Sequence, residues 1–121
     1  MATGWSSAEA QDALNALRAD YTWVQLHVGE PGANGTANVA VETDRMQVTW
    51  AVAVGGTLTS SSQLQWTNVA GTEDYTHFTV WTLAAAGTFG FSGTVTANPV
   101  TAGDTFTIAA GDLDVSVTVA S

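Results

Sequence analysis

From Tyr75 to Val95 the chain reads YTHFTVWTLAAAGTFGFSGTV, and apolar and polar side chains alternate along both halves of that stretch. Phe78 and Val80 fall on one side of the first half, with Tyr75, His77, Thr79 and Trp81 on the other. In the second half Phe89, Phe91 and Val95 share a side, opposite Thr88, Ser92 and Thr94. A period of two marks strands whose faces meet different surroundings. Gly87, after three alanines, supplies the reversal, so the pattern predicts a β-hairpin about which the rest of the chain is arranged.

Only one segment carries a helical period. Over Ser6 to Ala19, Ala10, Ala13, Leu14 and Leu17 form one apolar stripe, and Ser6 with Glu9 has the spacing of a capping box. Tyr21 to Val28 is predicted as a strand with Val24, Leu26 and Val28 on one face and Tyr21, Trp23, Gln25 and His27 on the other. Gly29 to Asp44, with Pro31 and an Asn34-Gly35 turn, reads as a long loop of the kind that carries function. Arg45 to Val54 reads as a long strand whose apolar face is Met46, Val48, Trp50, Val52 and Val54. Thr57 to Ser62 reads as an edge or turn, Gln63 to Thr67 as a short strand burying Leu64 and Trp66. Asn98-Pro99 is expected to break the chain. Asp104 to Ala109 and Leu113 to Val119 are expected to close it as a hairpin, with Phe106, Ile108, Leu113, Val115, Val117 and Val119 inward.

The predicted class is therefore mainly β: an antiparallel β-sandwich or jelly-roll-like barrel with one short N-terminal helix. Residues 1–20 form an arm with the helix, and 21–121 the β-sandwich domain. No span between strands is a helix-length crossover, which argues against a parallel α/β sheet.

Charge narrows the partners. Eleven acids face two arginines and no lysine, for a net charge of −9. Such a surface repels phosphate, so no nucleic-acid partner is expected. No apolar run reaches the roughly 20 residues of a membrane span, and no membrane partner is expected. The first residues, MATGWSSAEAQ, carry no basic and apolar leader, so no secretion signal is expected. Without cysteine there is neither disulfide nor thiolate metal site. A surface this poor in charge and rich in Thr, Ser, Ala and Gly suits a subunit packed in an assembly.

Catalytic chemistry has little to work with. Gly90-Phe91-Ser92-Gly93 lacks the spacing and the following helix of a nucleophile elbow. His27 and His77 could meet across a sheet and, with a carboxylate, bind a metal, but no local spacing supports this and ordinary strand histidines bonded to threonines are the favoured account. The repeated Ala-Gly-Asp at 102–104 and 110–112 reads as two similar turns. No catalytic residue, metal or cofactor is assigned. Among five tryptophans, Trp50 and Trp66 share faces with valine or leucine and read as core. Trp23 and Trp81 share faces with Tyr21, His27, Tyr75 and His77, a set that could be a ligand platform, a subunit contact or a layer buried beneath the helix.

The order of several short motifs resembles a family of small phage virion proteins, often described as tail-fibre or minor structural proteins in phages of actinobacteria. The pieces are Leu26-His27 with Glu30-Pro31-Gly32, then Arg45-Met46-Gln47-Val48-Thr49-Trp50, then Thr76-His77-Phe78 and Phe91-Ser92-Gly93. Ala102-Gly103-Asp104-Thr105 and Ala110-Gly111-Asp112-Leu113 complete the order. The resemblance implies a β-rich, non-enzymatic particle component. A chain with no repeat, collagen-like tract or coiled coil suits a capsid decoration protein, or a small tail-tube or tail-tip ornament, better than a long fibre. The expectation is a decoration protein on the virion exterior, made in the host cytoplasm, that binds other virion proteins as a homo-oligomer such as a trimer. The alternative is a tail-associated adhesin that binds a host glycan through Trp23, Tyr75 and Trp81. Trp5, the helix and the 29–44 loop, with Pro31 and Asn34, are the expected contact elements.

Overall fold

The computed structural model describes residues 4–116. Helix α1, Ser7–Asp20, begins where the capping box places it: the Ser6 hydroxyl accepts the Glu9 N–H at 3.2 Å. Its end is closed by the Tyr21 N–H donating to the Leu17 carbonyl. Ala10 and Leu14 are fully buried, and Leu14 joins the main core. The helix lies along the 50–58 segment, where Arg18 donates to the Trp50 carbonyl at 3.2 Å and the Asn15 amide oxygen accepts the Ala53 N–H at 3.0 Å.

Among the described residues eight strands follow: β1 Trp23–His27, β2 Met46–Gln47, β3 Thr57–Thr59, β4 Leu64–Trp66, β5 Glu73–Trp81, β6 Phe89–Val100, β7 Phe106–Ile108 and β8 Asp114–Ser116. One sheet has the order β2-β1-β5-β6; β3 pairs with β8 and β4 with β7, and every pairing is antiparallel. The sheets are not closed into a barrel, and the fold is sandwich-like. Val24, Leu26, Phe78 and Val80 of the four-stranded sheet share one core with Leu58, Leu64, Trp66, Phe106, Ile108 and Leu113 of the smaller pairs. Trp50 and Trp66 are in that core, and each indole N–H finds a carbonyl, of Tyr21 and Asp44 respectively.

The central hairpin forms as β5 and β6, with Ala86 and Gly87 both at positive φ in the reversal. Its ladder is irregular in two places, between Tyr75 and His77 and between Val80 and Trp81. Two of its glycines admit aromatic rings: a Cβ on Gly93 would lie 2.7 Å from Phe78, and one on Gly90 would lie 2.3 Å from Tyr21.

Three expectations are corrected. Arg45–Val54 is not one strand; only Met46–Gln47 and isolated bridges at Trp50 and Val54 pair, and Val52 and Val54 are 61% and 73% exposed. Here Ala53 bonds the helix, which draws the backbone out of any ladder. Thr57–Thr59 is, as expected, an edge strand, paired among the described strands with β8 alone and with Leu58 fully buried. Asn98-Pro99 does not break β6; Pro99 stands opposite Asp74 on the sheet's edge strand, where a missing N–H is tolerated. The last two strands do not pair with each other: β7 joins β4 and β8 joins β3, leaving them in separate sheets. Phe106, Ile108 and Leu113 are buried as expected, while Val117 and Val119 lie outside the described residues. The two Ala-Gly-Asp turns form, with Asp104 N–H to Thr101 O and Asp112 N–H to Ala109 O, and Gly103 and Gly111 at positive φ.

Because Leu14 is a member of the core, Leu14→Ala is expected to cost about 2–5 kcal/mol in urea unfolding. Leu83→Ala, on the exposed hairpin tip, is expected to stay within about 0.5 kcal/mol of the parent.

Candidate functional site

The four-stranded sheet has a second face, and it is built from polar and aromatic side chains. Antiparallel register sets Trp23 opposite Trp81, Gln25 opposite Thr79 and His27 opposite His77. Such directly opposed pairs are close enough to interact across strands. Gln25, His27, Thr79 and Trp81 are all buried, while Trp23 and His77 stay partly exposed, so most of this face is covered.

A buried polar atom left without a partner is costly, so most find one. The Ala37 carbonyl lies 2.9 Å from His27 Nδ1 and can only accept, so Nδ1 carries the proton. His27 Nε2 then accepts from the Thr79 hydroxyl at 2.8 Å, and that same oxygen accepts the Trp81 indole N–H at 2.7 Å. The chain of bonds runs from indole through hydroxyl and imidazole to backbone. Burial pulls His27 below its ordinary pKa, outweighing its backbone hydrogen bonds, and nearby His77 and Arg45 add to the lowering. The ring is therefore neutral at neutral pH.

The cover comes from two loops. Residues 28–45 cross the sheet's end: Val28 N–H bonds Asn38 O, Ala40 N–H bonds Leu26 O, and Glu73 accepts the amides of Val41 and Glu42 at 2.8 and 3.1 Å. The 82–88 reversal is drawn in by Arg45, whose guanidinium donates to the Leu83 and Ala86 carbonyls at 2.9 and 2.7 Å and to Gln25 at 3.2 Å. Arg45 also sits over the Trp81 ring, 4.3 Å from its centroid, and Phe89 packs on the same indole. Gly35, at positive φ in the Asn34-Gly35 turn, lies against Phe89, and a Cβ there would come within 2.6 Å of the ring.

These contacts locate the expected site residues. His27, Tyr75 and Trp81 are buried within the chain, and Trp23 and Tyr21 are half-buried, so they do not form an open platform. The layer is covered by the two loops; the helix packs elsewhere, against β3 and the 50–58 segment. Tyr75 departs from its expected face because the ladder shifts beside it; it turns into the core against Phe106, with ring centroids 4.9 Å apart. Its hydroxyl has no hydrogen-bond partner, and burial, then Glu73 and Glu42, push it up to about 12. His77 is partly exposed, with Thr76 Oγ1 at 2.9 Å from Nδ1 and Glu30 at 3.6 Å from Nε2. His27 and His77 do stand opposite each other, yet both nitrogens of His27 are engaged by protein groups. Among the described residues no group of His, Asp and Glu is arranged to hold a metal ion. Pro31 is buried, Asn34 is exposed and Trp5 is 48% exposed.

Arg45, Thr79, Gln25 and Glu73 organise this face, and none is among the expected site residues. Arg45 had one available signal: it is one of only two cations in the chain.

A family model described as Podophage GP4 fiber I protein gp80 matches residues 9–116, from the first turns of α1 to the end of β8. No curated protein matches the chain.

The network sets a pH dependence. Unfolded, His27 takes a proton near 6.5; folded, it does so only at lower pH. Stability is therefore expected to fall on acidification from about 6.5 to the lowered folded value and then level off. His27→Gln should flatten that part of the profile in melts recorded against pH. Thr79→Val leaves the Trp81 N–H and His27 Nε2 unpartnered, and should cost about 1–3 kcal/mol in urea unfolding.

Proposed function

The chain belongs to the podophage GP4 fibre I protein gp80 family, which makes it a phage virion structural protein, and from that membership we propose that it serves in the tail-fibre apparatus. The match to a fibre family over residues 9–116 carries this reading. It favours the tail-associated reading over the capsid-decoration role, which drew on compactness, a neutral surface and polar-aromatic anchors.

Its work there is attachment without chemistry. The two loops that cover the second face are tied down by side chain–backbone bonds, so the protein offers preformed surfaces to its neighbours. Trp5, ahead of α1, and Val28, Val39 and Val41, at the rim of the 28–45 loop, are the exposed apolar groups best suited to contact other virion proteins. A glycan platform on Tyr75 and Trp81 is not favoured, since both rings are spent inside the chain.

An antibody raised against the isolated chain tests this on intact phage particles. Gold label is expected at the tail appendages. Label spread over the capsid shell would overturn the assignment.

A further inference from the structure

The two edges of the four-stranded sheet differ. On one side the edge is β2, two residues long, and the chain beside it carries Glu42 and Asp44. On the other side the edge is β6, and no described strand pairs with its outer side. From Tyr75 to Gly103 there is no Asp, Glu, Lys or Arg at all, in a chain whose net charge is −9. Gly90, Ser92 and Thr94 are exposed along β6. Between its two irregularities, Phe91 to Thr94 keep an unbroken register with β5.

A neutral sheet edge is a template for another strand, and natural proteins commonly blunt such edges with lysine. This chain has no lysine, and its two arginines are turned inward onto the carbonyls of Trp50, Leu83 and Ala86. We propose that β6 pairs with β6 of a second copy of this chain. Charge selects that occupant. A basic partner would be drawn to the eleven acids, away from β6, whose stretch, like residues 46–72, has none. Two copies at −9 each repel everywhere except where their surfaces are uncharged, and β6 is such a surface on both. Because the β2 edge is too short to receive a long strand, head-to-tail addition is disfavoured. Antiparallel β6–β6 contact is self-complementary and closes at two subunits, giving a continuous sheet twice as wide. The product is a dimer, in place of the trimer expected from the resemblance. The run of regular edge is short, so the association is concentration-dependent in the micromolar range.

Sedimentation equilibrium of the full chain across that range tests the proposal. The mass is expected to rise towards twice 12.5 kDa as concentration increases. The double variant Ser92→Lys, Thr94→Lys is expected to stay monomeric throughout, while Val54→Lys, at an exposed position outside the four-stranded sheet, should dimerise like the parent. A parent chain that is monomeric at every concentration, or a folded double variant that dimerises unchanged, overturns the proposal. If the double variant fails to fold, amide exchange of residues 91–94 in the parent decides: slowing with concentration supports pairing through β6, and exchange independent of concentration overturns it.

Discussion

Most of the β1–β5 pair is buried on both faces, and one of those faces is polar. That combination constrains the rest of the structure. An apolar face can be covered by anything apolar; a polar one must be matched atom by atom, because a buried donor or acceptor without a partner costs about 1–3 kcal/mol. The line from the Trp81 N–H through Thr79 and His27 to the Ala37 carbonyl meets that demand and, in doing so, fixes where the 28–45 loop crosses the sheet. Arg45 does the same for the 82–88 reversal, with its charge placed over the Trp81 ring and its donors aimed at backbone carbonyls. A loop of this length would ordinarily be mobile. Here it is a structural layer.

A protein that holds its loops this way is suited to being a part of a particle. Little conformational entropy remains to be lost when a preformed surface docks. Membership of a phage fibre family and the uncharged β6 edge fit the same picture: a small wedge whose surfaces are set before it meets its neighbours. The acidic remainder keeps copies apart except where the surface is neutral.

Much of this was legible in the sequence, and the reasons for the rest are physical. The helix was readable because the Ser6–Glu9 box and the Ala10–Leu14 stripe are local signals. Alternation placed Trp23, His27, His77, Thr79 and Trp81 on one face, and the register confirms it. The same rule failed for Tyr75, because a ladder irregularity rotates the chain and leaves no trace in the hydrophobic pattern. It overextended the strand after Arg45, since alternation reports a side chain's surroundings and not whether the backbone is paired. The partners of β7 and β8 depend on contacts some 40 to 60 residues away along the chain, which no local pattern encodes. The cover over the polar face was invisible for a related reason. Loops lack a period, and Thr79 as a hub or Arg45 as a clamp acquires its role only from what the fold brings to it.

The most direct measurement is residue-resolved amide hydrogen exchange across the 28–45 loop. If the polar face is held as a fixed second layer, the amides of Ala40, Val41 and Glu42, bonded to Leu26 and to Glu73, will be protected to a degree comparable with β1 itself. Exchange of those amides at the rate of an unstructured chain, while β1 and β5 stay protected, would contradict the account.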